Sequence, residues 1–130
     1  MTTFRTQDRV SLSDTDASGL IHFMYAMRYF EIGEREAMRA IGVKVGDVTR
    51  GGFHLPRVHV SCDFHRPLFY DDEIQILSTC MAVKNSSITW EIRVLKENEL
   101  CLSGQMVTVF VDTVTLKPAP VPEAWRQALL

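Results

Sequence analysis

The sequence predicts an α+β fold in which one long helix packs against a five-stranded antiparallel sheet, with a short helix near the C-terminal end. Three observations predict it. Only residues 22–41 carry a long helical pattern, with Phe23, Met27, Phe30, Ala37, Met38 and Ile41 recurring at helical spacing. Short runs of alternating apolar and polar residues lie on both sides of that stretch. The runs after it are separated by turn residues alone, as antiparallel neighbours are.

The elements follow in order. Val10 and Leu12 alternate with polar neighbours, so residues 4–13 read as a first strand. Asp14 to Gly19 is rich in turn formers. The helix over 22–41 would be about 30 Å long at about 1.5 Å per residue, and Gly42 is its stop. Gly33 lies inside it, at a cost of about 1 kcal/mol relative to alanine, which implies a close approach of another backbone there. Residues 43–56 are irregular, broken by Gly46, Gly51, Gly52 and Pro56. Val58, Val60, Cys62 and Phe64 then alternate with His59, Ser61, Asp63 and His65, and Ile74, Ile76, Ser78 and Cys80 form the next strand. Asn85-Ser86-Ser87 and Glu97-Asn98-Glu99 read as turns. Trp90, Ile92, Val94 and Leu100 to Val111 complete the sheet. Pro118, Pro120 and Pro122 make an extended tail, and Pro122 opens a last helix over Glu123–Leu130.

One helix covers one face of such a sheet. Residues 105–111 are almost continuously apolar, which predicts burial on both faces, and an exposed edge strand would be a liability in a monomer. A homodimer joining two sheets, or a homotetramer built from such dimers, is the expected remedy.

Composition bounds the function. The 130 residues fit one domain, 1–130, with 46% apolar and 23% charged residues, an ordinary globular balance. A net charge of −2 offers no field to steer a nucleic-acid partner. The three cysteines, Cys62, Cys80 and Cys101, have no metal spacing and no disulfide pattern, and read as buried thiols of a reducing compartment. No histidine pair has zinc spacing, so no metal is expected. No apolar stretch reads as a signal peptide or a membrane span. The expectation is a cytoplasmic protein without a membrane partner.

The chemistry concentrates in residues 14–23. Two carboxylates, Asp14 and Asp16, sit in a turn just before the helix, and Gly19 permits positive φ or a close backbone approach. The first turn of a helix carries N–H groups without intrahelical partners, at the positive end of the macrodipole. Free donors beside a carboxylate suit acyl transfer: the donors hold an oxyanion while the carboxylate attacks or activates water. An Asp before a helix is also a common cap or Asx-turn residue, so the pattern alone leaves both readings open.

The stretch Ser13-Asp14-Thr15-Asp16-Ala17-Ser18-Gly19-Leu20-Ile21-His22-Phe23, with Tyr29-Phe30-Glu31 and Glu34-Arg35, resembles the hotdog-fold acyl-CoA thioesterases of the 4-hydroxybenzoyl-CoA thioesterase type. The resemblance continues in Leu55-Pro56-Arg57-Val58-His59-Val60-Ser61-Cys62-Asp63-Phe64, in Pro67-Leu68-Phe69-Tyr70-Asp71-Asp72, and in Val111-Asp112 with Leu116 to Pro120. It covers nearly the whole chain. It implies the hotdog fold, a helix wrapped by a five-stranded antiparallel sheet, and hydrolysis of an acyl- or aroyl-CoA to CoA and a carboxylic acid. CoA would enter as part of the substrate, with no resident cofactor.

The resemblance also implies roles. Asp16 aligns with the catalytic carboxylate, as nucleophile or as general base. The backbone N–H of Phe23 aligns with the donor to the thioester carbonyl, and Gly19 shapes the turn between them. His22, a candidate substrate contact, falls where the family often has an aromatic residue, Glu31 falls where the hydroxyaryl member presents an acid to its ring hydroxyl, and the Lys84-Asn85-Ser86-Ser87 hairpin falls where relatives hold the nucleotide end of CoA. Arg57, Arg66 and Lys117 are further candidates for its phosphates. From strand alternation, His59 shares a face with Ser61 and Asp63, as a substrate contact or a structural pair. Two alternatives stand beside hydrolysis: a non-catalytic acyl-thioester binder on the same fold, and a hotdog dehydratase using His22.

Overall fold

The computed structural model describes residues 1–130. Strand β1 (Thr3–Arg9) is followed by 3₁₀ turns at Leu12–Asp14 and Phe23–Tyr25, then helices α1 (Ala26–Ala40) and α2 (Val45–Arg50). Strands β2 (Phe53–His54), β3 (Arg57–Phe64), β4 (Glu73–Val83), β5 (Ser87–Lys96), β6 (Glu99–Val109) and β7 (Val111–Asp112) come next, and helix α3 (Glu123–Leu129) last. The main sheet is fully antiparallel, in the order β1-β4-β5-β6-β3, and β2 pairs with β7 in a small ribbon.

Local chemistry explains the boundaries. β1 ends at Arg9, short of the expected residue 13, because Ser11 caps the Leu12–Asp14 turn: the Asp14 side chain accepts the Ser11 N–H at 3.0 Å and the Asp14 N–H reaches back to the Ser11 carbonyl at 2.9 Å. The long helix is regular only from Ala26. Its first turn is 3₁₀, because His22 caps it and draws the chain tight. α1 closes in a Schellman arrangement: Gly42, at φ 87°, donates to Arg39 O and Val43 donates to Met38 O. The β5–β6 turn places Glu97 and Asn98 at φ 51° and 63°, the double left-handed pattern that matches the twist of the strands.

The core lies between α1 and the concave face of the sheet. Tyr29, Phe30, Ala37 and Met38 pack on Ile74, Ile76, Ile88, Trp90, Ile92, Leu102 and Met106. Two glycines set how close the helix comes. A Cβ on Gly33 would lie 2.5 Å from Ser78 Oγ and 2.9 Å from Ile76 Cγ2, so the mid-helix glycine is what lets α1 touch β4. A Cβ on Gly104 would lie 1.9 Å from Ser61 O and 2.9 Å from the Phe30 ring; Phe30 occupies that space.

The near-continuous apolar run at 105–111 is not buried on both faces of the chain. Met106, Thr108 and Phe110 are buried, Val107 and Val109 are half-buried, and Gln105 is exposed. With α1 on one side only, the outer side of β6 stays partly open. β3 is an edge strand paired only with β6, and Val58, Val60 and Phe64 on it are exposed, Val58 by 62%. The three cysteines are free, with Cys80 and Cys101 buried; burial pushes the Cys80 thiol up to about 11. No helix is long and apolar enough to cross a membrane.

Two carboxylates are inside, Asp14 and Glu34. Glu34, on α1, is 2% exposed; Arg57 donates to its Oε1 at 2.8 Å, and Oε2 has no partner. Burial outweighs the Arg57 charge and raises the Glu34 carboxyl from its ordinary 4.5 to about 7. Between those values the folded chain keeps a proton that the unfolded chain releases, so stability from this group is full below about 4.5 and is lost as pH rises through about 7. Glu34→Gln keeps the oxygen for Arg57 and removes the buried charge. Its melting temperature should exceed that of the parent by a few degrees at pH 8 and the gap should shrink toward pH 4.5, as read by a thermal melt across pH.

Candidate active site

The segment between Asp14 and Phe23 folds as a tight loop. Thr15 and Ile21 form an antiparallel bridge, Asp16 N–H donates to Leu20 O at 3.0 Å, and Gly19 N–H donates to Asp16 O at 3.0 Å. Gly19 takes φ 84°, which closes the turn without a Cβ penalty. The returning limb is held to the body of the protein: Ile21 N–H donates to Leu68 O at 3.0 Å, and Leu20 bridges Phe69.

At the tip, Asp16 is exposed. Its Oδ1 accepts the Ser18 N–H at 2.8 Å and the Ser18 hydroxyl at 2.5 Å, and its Oδ2 has no partner within the chain. The Ser18 hydroxyl bond foremost, then the Ser18 backbone bond, hold the carboxyl below its ordinary value, with His22 adding a smaller pull. Asp16 is therefore an ionised group with one oxygen anchored and one free.

The donors of the helix start are nearly all spoken for. Tyr25 N–H donates to His22 O at 2.9 Å, and Met24 N–H donates to His22 Nδ1 at 3.3 Å. Ala26 N–H reaches back to the carbonyls of Phe23 and Met24. Phe23 N–H alone has no partner in the chain. An imidazole that accepts at Nδ1 carries its proton at Nε2 when neutral, so His22 acts here as a cap; its ring also stacks on Phe23, with centroids 4.6 Å apart.

Asp16, Gly19, His22 and Phe23 thus lie in one loop and the turn that follows it. Glu31 is eight residues beyond Phe23, about 12 Å along the helix, and pairs with Arg35 at 3.6 Å. His59 is exposed on edge strand β3, where a register shift follows Arg57. Lys84, Asn85, Ser86 and Ser87 are far from Asp16 in the same chain. Asp72, at the start of β4, accepts from Val10 beside the loop, whereas the hairpin begins at the other end of β4, roughly 35 Å away at about 3.3 Å per residue. Arg57 and Pro56 share the hairpin's end of the sheet, through Arg57↔Thr108 and Ile88↔Thr108. Arg66 lies at the Asp16 end, paired with Glu99 at 3.3 Å.

Two clefts mark the two ends. One, of about 310 Å³, is lined by Leu20, Ile21, Phe64, His65, Arg66, Pro67, Leu68 and Leu102, beside the Asp16 loop. The other, of about 620 Å³, is lined by His54, Leu55, Pro56, Val111 and Leu116 at the hairpin end. No group of histidine, cysteine, Asp or Glu side chains could hold a metal ion.

Sequence reasoning passed over Ser18, which holds Asp16 by both its N–H and its hydroxyl. The signal was present: an Asp followed two residues later by Ser is an Asx-turn pattern. Helix geometry alone left the donors near Ile21 to Met24 undivided; the family resemblance singled out Phe23, and its N–H is the one without a partner in the chain.

Residues 10–129 match the thioesterase-like superfamily. Among similar proteins, a 1,4-dihydroxy-2-naphthoyl-CoA hydrolase of Synechococcus elongatus is 23% identical over 125 residues, 95% of this chain and 92% of that one. A 1,4-dihydroxy-2-naphthoyl-CoA hydrolase of Rippkaea orientalis is 27% identical over 124 residues, 92% of this chain and 90% of that one. The fold superposes on a 1,4-dihydroxy-2-naphthoyl-CoA thioesterase from Synechocystis with a TM-score of 0.92 at 23% identity, covering 98% and 96% of the two chains. It superposes on a gentisyl-coenzyme A thioesterase with a TM-score of 0.88 at 22% identity, covering 95% and 99%.

Ser18→Ala removes the stronger of the two bonds on Asp16 and leaves the backbone one. The Asp16 carboxyl should then titrate at higher pH than in the parent, still below an ordinary aspartate, in a carbon-13 NMR titration of the side-chain carboxyl.

Proposed function

The chain belongs to the thioesterase-like superfamily, and we propose that it hydrolyses acyl- or aroyl-CoA thioesters, with Asp16 as the reacting carboxylate and Phe23 N–H as the oxyanion donor. The observation that carries this reading is the pairing of an exposed, ionised Asp16 with the one unpartnered N–H of the following helix start. The thioester oxygen accepts from Phe23 N–H, which polarises the carbonyl and holds the charge that develops on it. Asp16 Oδ2 either attacks the carbonyl carbon, giving a mixed anhydride that water then opens, or takes a proton from the attacking water. In both routes the C–S bond breaks, the sulfur leaves with CoA and is protonated, and water supplies the new oxygen of the acid. The curated relatives named above act on hydroxylated aroyl-CoAs, which makes aroyl groups the first substrates to try.

The reading includes a homodimer. β3 is an unprotected edge with exposed apolar side chains, and Phe23, Met24 and Met27 at the helix start are exposed as well. Antiparallel pairing of two β3 strands about a two-fold axis reverses one sheet relative to the other. It would set the end of one protomer that carries Lys84–Ser87, Arg57 and the 54–56 cleft against the Asp16 end of its partner. The hairpin residues would then serve the partner's site, which resolves their distance from Asp16 within one chain. Dimers could further pair into a tetramer.

Purified protein should release thiol from members of an acyl- and aroyl-CoA panel, and Asp16→Asn should lower kcat by about 100-fold or more. Near-parental turnover by Asp16→Asn would sink the mechanism, and silence on every thioester would favour a non-catalytic binder. Light scattering should give a dimer or tetramer mass; a stable monomer would contradict the paired sheets.

A further inference from the structure

We infer that Asp14 is a positioning residue, which fixes the loop bearing Asp16 against the turn that presents Phe23 N–H so that the two halves of the site keep one spacing. The inference rests on the proposed roles of Asp16 and Phe23, and its geometry is independent of them. Asp14 is fully buried in a segment whose other residues are exposed or half-buried. Three of its acceptor positions reach three different places. Its main-chain carbonyl takes the His22 N–H at 2.8 Å, which closes the far limb of the loop one residue before Phe23. Its Oδ2 takes the Ser11 N–H at 3.0 Å, which fixes the near limb, and the Tyr29 hydroxyl at 3.0 Å, from the first full turn of α1. Its Oδ1 lies 3.2 Å from Arg28 Nε.

Arg28 ties this residue to the sheet. Its guanidinium also meets Asp8 of β1 at 3.5 Å and donates to Ser11 Oγ at 3.3 Å. The charged and titratable groups facing Asp14 are therefore Arg28 and Tyr29 from α1 and Asp8 from β1. The titratable group acting on the Asp16 charge is His22. Burial, then the Asp14 charge beside it, raises the Tyr29 phenol, which keeps its proton and donates. Asp14 stands two residues before Asp16, and His22 stands one residue before Phe23. A shift of Asp14 therefore moves both partners of the reaction relative to each other, and a misplacement near 1 Å can cost about 100-fold in rate.

The decisive variant is Tyr29→Phe, which keeps the packed ring and removes one donor to Asp14. Asp14→Asn accompanies it, keeping an acceptor oxygen while setting an amide against Arg28. Steady-state kinetics with an aroyl-CoA, well below each variant's melting temperature, should show kcat down 10- to 100-fold with KM within about threefold. The acid limb of the kcat profile should move to higher pH as the Ser18 bonds on Asp16 loosen. Charge loss at Asp14 alone would move that limb the other way, which separates loosening from direct electrostatics. If Asp14→Asn does not fold, Tyr29→Phe decides alone. Folded variants that melt earlier but keep parental kcat and acid limb would overturn the inference, leaving Asp14 as a stabilising residue only. A parallel Asp16→Asn control with parental activity would instead remove the catalytic reading. In that case the carbon-13 titration of Asp16 in Tyr29→Phe still tests the loop: an upward shift upholds the positioning, and an unchanged curve refutes it.

Discussion

A single helix has to cover one face of a five-stranded sheet, and most of the architecture follows from that constraint. α1 is 15 residues long, so it can seal the concave face only by lying close against it. Gly33 lets it reach Ser78 and Ile76, and Gly104 leaves room for the Phe30 ring. The same closeness leaves nothing for the outer face of β6 or the free edge of β3. The inner side of the sheet is therefore a packed core, and the outer side and edge remain available to a second copy. The start of α1 is left at the rim, where its first N–H groups meet the loop that precedes it.

Two aspartates two residues apart take opposite fates in that loop. Asp14 turns inward and accepts from Ser11 and Tyr29 beside Arg28. Asp16 turns outward and is held only by Ser18. A carboxylate can be buried only if donors or charge meet it, and the α1 face at Arg28 and Tyr29 supplies both. Water does the same for Asp16 on its free oxygen. One residue type thus yields a buried anchor and an exposed carboxylate with a free oxygen, and environment rather than identity decides which is which.

Much of the fold was legible because it is periodic. The helical repeat of 22–41, the alternation in β3 and β4, the two turns and Gly42 all reflect side-chain positions that local geometry dictates. The first turn of the helix was not, since its 3₁₀ form depends on His22 acting as a cap. Helical spacing does put Glu34 in the apolar stripe of Phe23, Met27, Phe30 and Ile41, but the ion pair that accompanies its burial was not legible, because Arg57 is 23 residues away on another element. The run 105–111 is buried on one side only within this chain, because α1 reaches one face of β6 and leaves Val107 and Val109 half-buried on the other. At the site, the Asp-x-Asp and glycine pattern located the loop. The separation of Lys84–Ser87 from Asp16 came from strand direction, which spacing along the chain does not carry.

That separation bears on how the chemistry could work. Asp16 is exposed, and Phe23, whose N–H is the proposed donor, is 70% exposed. A hydrogen bond to a developing oxyanion is strong where water is excluded and weak where water competes for both partners. An oxyanion donor open to solvent on one side would therefore stabilise the transition state poorly in an isolated chain. For the proposed reaction, a cover over the rim would have to offer an apolar wall to the acyl group and cations to the nucleotide phosphates. The opposite end of the same chain has both, in the Leu55, Pro56 and Val111 cleft and in Arg57 and Lys84. Reversal of the chain across the proposed β3–β3 edge would deliver that end to this rim. On the proposed dimer, then, the edge strand that would endanger a lone chain is also the element through which each site acquires its cover.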